Sequence, residues 1–279
     1  MSATHPPALP PVSAAPPSWS SRHPFWAMGL DMGLALLIAS GLLFGLMAIW
    51  GIWQGAMQVA EHGPEIARDQ RALLAVVGEP PAALLLLVSG IATLTAGLTL
   101  YVLRRPASLA ERIHSRAAIG KPRVWLESLG LGVAMFLAST SLMWLLERFA
   151  HVPEPSNLRI IEETMATSPW LLVLLVVVLA PIAEELLFRR VLFGRLWAAG
   201  KPLIGMWLTG VLFALMHELP GTGDNPWYAS LILLLFYTAM GAGFAWIYRR
   251  HGTLWAAILA HAGNNALASV ALIAGLAGS

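Results

Sequence analysis

Residues 171–189 read LLVLLVVVLAPIAEELLFR. An unbroken apolar run from Leu171 to Ala180 leads into Pro181, two adjacent carboxylates at Glu184 and Glu185, and a cation at Arg189. A helix that crosses a bilayer needs roughly 20 mostly apolar residues. The stretch is therefore a spanning helix with charges placed inside it. An ionisable side chain deep in such a helix costs about 3 kcal/mol on insertion scales, so each one calls for a function or a partner. Glu185 and Arg189 stand four apart, on one helix face, where they can pair. Glu184 lies about 100° round the helix from Glu185 and has no cation near it in sequence. A desolvated carboxylate of that kind is suited to take a proton as a general base.

The rest of the chain agrees with a membrane setting. Of 279 residues, 57% are hydrophobic and 11% are charged, against about 25% charged in a soluble domain. A net charge of +2 excludes a broad basic surface for nucleic acid. The absence of cysteine excludes disulfides, a thiolate nucleophile and a cysteine zinc site. The twelve tryptophans suit interface belts at headgroup depth. Residues 1–21, rich in Pro, Ala and Ser, read as a disordered tail. Apolar runs then predict spans over about 25–53, 81–103, 124–146, 169–188 or longer, 202–218, 227–248 and 253–277. The fold class is an all-α polytopic bundle of about seven to eight spanning helices. An eighth would arise from a break at Gly263 or from residues 54–80 dipping into the membrane. Residues 22–165 form the N-terminal helices and 166–279 the core that carries the motifs.

Lys and Arg crowd three alternate loops. Arg104, Arg105, Arg112, Arg116, Lys121 and Arg123 lie in one, Arg189, Arg190, Arg195 and Lys201 in the next, Arg249 and Arg250 in the last. This bias puts those loops and the N-terminus in the cytoplasm. The localisation expected is an inner membrane, crossed many times.

Two further polar groups stand out. His217 closes span five in Phe213-Ala-Leu-Met-His217, next to Glu218, which suggests nearness to water. His261 and Asn265 share a face of the last span, among Ala and Gly residues that let another helix approach closely. Asp31 in span one and Glu127 at the start of span three stand outside any motif. The first is expected to cap or snorkel, and the second to sit at a cytoplasmic helix start.

Taken in order, Glu184-Glu185-xxx-Arg189, Phe213-xxx-His217 and His261-xxx-Asn265 resemble the motifs of the CPBP family, the CAAX proteases and bacteriocin-processing enzymes also called Abi proteins. The resemblance covers roughly residues 166–270. Arg190 stands where the family often has glycine. The resemblance implies an intramembrane peptidase whose eukaryotic members remove the last three residues of prenylated proteins. It implies that Glu184 and His217 activate water, that His261 and Asn265 hold the oxyanion, and that Glu185 and Arg189 fix the helix. Partners would be membrane lipid and a peptide or lipid-modified protein substrate. The cofactor stays open: Glu184, His217 and His261 could hold zinc, and a metal-free mechanism needs the same groups. A catalytically silent binding or immunity protein of the same fold is the alternative, and a small transporter a more distant one, since no repeated half is visible.

For these residues to meet, helix four must run well past Arg189. A single long helix from about Pro169 to Ala199, roughly 45 Å at 1.5 Å per residue, puts Glu184 near its middle. Arg190, Arg195 and Lys201 are then expected in water or in a wet cavity.

Overall fold

A computed structural model of the chain describes residues 19–221 and 226–275, except 151–157. The tail expected over 1–21 falls mostly outside them. Its last residues enter one helical turn, Trp19–Arg22.

Every long apolar run is a helix, because in lipid a backbone must satisfy its own hydrogen bonds. The helices are α1 (Pro24–His62), α2 (Ala82–Arg104), α3 (Leu109–Ile119), α4 (Pro122–Ala150), α5 (Leu158–Thr167), α6 (Pro169–Ala198), α7 (Pro202–His217), α8 (Trp227–His251) and α9 (Leu254–Ile273). Six of them are long and apolar enough to cross a membrane, and α7 is a shorter apolar helix. The last run does not break at Gly263: α9 continues through it. After α1 the chain makes a 3-10 turn over Pro64–Arg68 and a short helix over Gln70–Val77 that folds back on α1.

Helix α6 is the centre of the bundle. It contacts α1, α2, α7, α8 and α9, and its lower half, Leu186 to Leu196, is buried throughout. Around it α7 packs along α8, α9 along α4, and α1 along α2. Glycine sets the closest approaches. A Cβ on Gly210 of α7 would lie 2.5 Å from the Thr238 carbonyl of α8, and one on Gly132 of α4 would lie 2.6 Å from the Ala260 carbonyl of α9. Neither contact leaves room for any side chain.

The expected long helix four is present, with a modification. Turns of π-helix occupy Leu174–Leu179 and Leu186–Phe193, on either side of the α-helical Ala180–Glu185. Such wide turns are uncommon and recur at functional sites. Here they bracket the two carboxylates.

The expectation that Arg190 and Arg195 face water is not met. Both are buried. Arg195 donates from Nε to Asp31 Oδ2 at 2.7 Å, and Arg104 also pairs with Asp31. Asp31 is itself fully buried, so it neither caps nor snorkels; it joins α1 to α2 and α6. Arg190 donates to both oxygens of Glu111 on α3, at 2.8 and 3.2 Å. Burial alone would raise the Glu111 pKa. The bonds from Arg190 and from the Ser108 backbone outweigh it and bring the group down to about 2. Lys201 is exposed, as expected. Glu127 accepts from Arg123 one turn back on its own helix and, beyond that helix, from Arg250 at the end of α8.

Candidate active site

Glu184 and Glu185 leave the middle of α6 in different directions. Glu185 is fully buried and pairs with Arg189 Nε at 3.0 Å. Its other oxygen takes the Nδ1–H of His261 at 2.9 Å. A carboxylate only accepts, so the proton of this bond sits on Nδ1, and Nε2 of the neutral ring carries a lone pair. Arg189 is equally buried. It donates to the Gly241 carbonyl at 3.1 Å, and its guanidinium lies over the rings of Phe213 and Phe244 at 4.6 and 5.2 Å. The expected Glu185–Arg189 pair is present, and it has a further task that sequence did not reveal: Glu185 orients His261.

His217 is fixed in the same manner. Its Nδ1 bonds the Phe213 carbonyl, one turn back, at 2.9 Å. A carbonyl only accepts, so Nδ1 again carries the hydrogen and Nε2 is the acceptor nitrogen of the neutral ring. The Phe213 ring packs against both histidines, with centroids 4.3 Å from His217 and 5.9 Å from His261.

Both Nε2 atoms face one atom. Glu184 Oε2 lies 3.7 Å from His217 Nε2 and 3.9 Å from His261 Nε2. That oxygen is buried and makes no hydrogen bond to any described residue. The Glu184 and His217 side chains stay 21% and 20% exposed, whereas His261 is 4% exposed. The cluster is thus reachable from one side, through Glu184 and His217. As placed, no group of three or more His, Asp or Glu side chains among the described residues has the arrangement of a metal site.

Asn265 lies one turn beyond His261, and its described bonds go elsewhere. Nδ2 donates to the Val176 carbonyl of α6 at 2.8 Å, and Oδ1 accepts from Asn264 at 2.9 Å. The sequence explains why Val176 needs a donor. In the π turn before it, the Ala180 N–H bonds back to the Leu175 carbonyl. The next donor in that register would be residue 181, a proline, which has no N–H. Asn265 supplies the missing donor and ties α9 to α6 beside the site.

Residues 166–267 match the family described as type II CAAX prenyl endopeptidase Rce1-like. A curated relative, named "Putative membrane peptidase YdiL", from Bacillus subtilis (strain 168), is 32% identical over 108 residues. The match covers 39% of this chain and 39% of the relative, well short of either full length. No solved structure matches the chain. The Rce1-like segment contains all six residues singled out in the sequence, Glu184, Glu185, Arg189, His217, His261 and Asn265.

Two neighbours of the site were not legible in the sequence. Glu218 was expected near water, but it is buried, and it accepts from Ser230 Oγ of α8 at 3.1 Å. Tyr237 of α8 lays its ring against His217, centroids 5.0 Å apart and tilted by 31°. Neither belongs to a motif. Only the packing of α7 on α8 brings them in.

Proposed function

We propose that this protein is an intramembrane endopeptidase in which a water molecule, activated by Glu184 and His217, attacks a peptide carbonyl. The observation that carries the reading is the convergence of two histidine Nε2 atoms on Glu184 Oε2, each ring fixed by a bond at its Nδ1. Separations of 3.7 and 3.9 Å are too long for direct hydrogen bonds and suit groups that share a water-sized molecule.

Glu184 takes a proton from the water as its oxygen bonds to the carbonyl carbon. The same proton then passes to the leaving amine as the C–N bond breaks. His261 Nε2 faces the same space as Glu184 Oε2, and in its imidazolium form it would donate an N–H to the developing oxyanion. Positioned donors of this type are a large term in acyl transfer. Asn265 supports the arrangement by holding α9 to α6.

The substrate proposed is a peptide or lipid-modified protein segment delivered in the bilayer, in keeping with the family's prenyl endopeptidase description. Zinc is a second reading, because two imidazole nitrogens and a carboxylate are zinc donors. If zinc binds, Glu184, His217 and His261 hold it, and it supplies Lewis-acid activation.

The test is cleavage of fluorogenic peptides, with and without a prenyl group, by purified protein in lipid. Wild type is compared with Glu184→Gln and with a chelator-treated sample. Cleavage by wild type and a loss of about 10²–10⁴-fold in the variant is expected for a general base. Loss on chelation would establish the zinc reading. Failure of wild type on every peptide would overturn the proposal in favour of a silent protein of the same fold.

A further inference from the structure

Tyr237 occupies a position that packing alone does not explain. Its ring stands against His217, and its hydroxyl is close enough to Glu218 and Glu184 to interact electrostatically with both carboxylates. It therefore borders the cluster on the His217 side. The backbone around it is rigid. One residue on, the Thr238 carbonyl meets α7 at Gly210, and Gly241 lies against the same glycine. The phenol is thus placed by the tightest helix crossing in the bundle.

Tyr248, three turns further along the same face of α8, offers a comparison. Its hydroxyl is engaged by Arg190, 3.5 Å away, and it stacks edge-on with Trp197. That is a tyrosine used for structure. No hydrogen bond among the described residues uses the Tyr237 hydroxyl. A tyrosine enclosed by protein normally finds a partner for its O–H. On the other side of the cluster, the described Asn265 amide bond goes to Val176 and His261 Nδ1–H goes to Glu185, which leaves His261 Nε2 as the group facing Glu184.

We infer that Tyr237 is a further catalytic residue, whose O–H donates a hydrogen bond to the carbonyl oxygen of the substrate as it becomes an oxyanion. The inference rests on the peptidase reading above. The proton stays on the phenol throughout, so the residue stabilises charge and transfers nothing. A donor realised only in the transition state raises kcat and leaves KM nearly unchanged.

The experiment compares wild type with Tyr237→Phe, which keeps the ring against His217 and removes only the hydroxyl. A peptide cleaved by wild type is used, with its phosphinic analogue as a mimic of the tetrahedral intermediate. Expected are a fall in kcat of about 10²-fold, the lower end for loss of one oxyanion donor, a KM within about twofold, and unchanged thermal unfolding. The analogue should bind more weakly by a similar factor. Equal kcat would overturn the inference. So would a fall in kcat matched by lost thermal stability or by a rise in KM, which would make Tyr237 a packing residue. If wild type itself cleaves nothing, the peptidase reading fails first, and that outcome is separate from these.

Discussion

Glu185 spends both of its oxygens, one on Arg189 and one on His261. Removing the cation therefore has a cost that removing Glu184 does not. Breaking a buried pair by deleting one partner costs about 3–5 kcal/mol, because the surviving charge is left without compensation. Arg189→Ala is expected to lower thermal stability in detergent well below that of Glu184→Ala, whose carboxylate has a partly exposed side chain and no Lys or Arg partner among the described residues. Equal unfolding temperatures for the two variants would refute this. Residue-scale reading of the sequence found these groups because their charge is costly in an apolar helix. It could not find that Glu185 also fixes the tautomer of His261, since 76 residues separate the two.

At the scale of the helix, the site depends on how closely α9 approaches α4. Gly132 stands opposite Ala260, the residue before His261, and a methyl there would also come within 3.1 Å of the Asn264 nitrogen. Backbone atoms cannot yield as a flexible side chain would. Gly132→Ala must push α9 away and carry His261 and Asn265 with it. Gly130, two residues earlier, has nothing within 4 Å of the same position. Gly130→Ala is expected to preserve activity and, if anything, to gain about 1 kcal/mol of helix propensity. Gly132→Ala is expected to lose at least about tenfold in kcat, since small displacements of positioned groups are costly. Cleavage assays on the two variants side by side check this, and similar rates would sink the argument. Element boundaries were legible in sequence: the expected 202–218 is Pro202–His217, and the expected 81–103 is Ala82–Arg104. The π turns were not, because they depend on Pro181 and on a donor from α9, a helix that is remote in sequence.

For the whole molecule, the charge asymmetry of the loops predicts a side for every span. The absence of cysteine makes this simple to measure. Single cysteines at Arg112 and at Glu65, both exposed, are expected to react with a membrane-impermeant maleimide from opposite faces, Arg112→Cys from the cytoplasm. Labelling of both from one face would overturn the orientation. What the sequence determined by itself was the set of long apolar helices and the candidate site residues. Both are local properties: an apolar run partitions into lipid whatever its neighbours are, and a charge within it is conspicuous at once. Only the tertiary structure decided the pairings. Asp31 with Arg195 and Glu111 with Arg190 bridge 164 and 79 residues, and each turns a group expected in water into a buried partner. The same holds at the site, where Glu184 meets His217 and His261 because three helices cross at one depth. The physical reason is that a hydrogen bond or ion pair acts over a few ångströms of space, and the order of residues in a chain sets no such distance between remote helices.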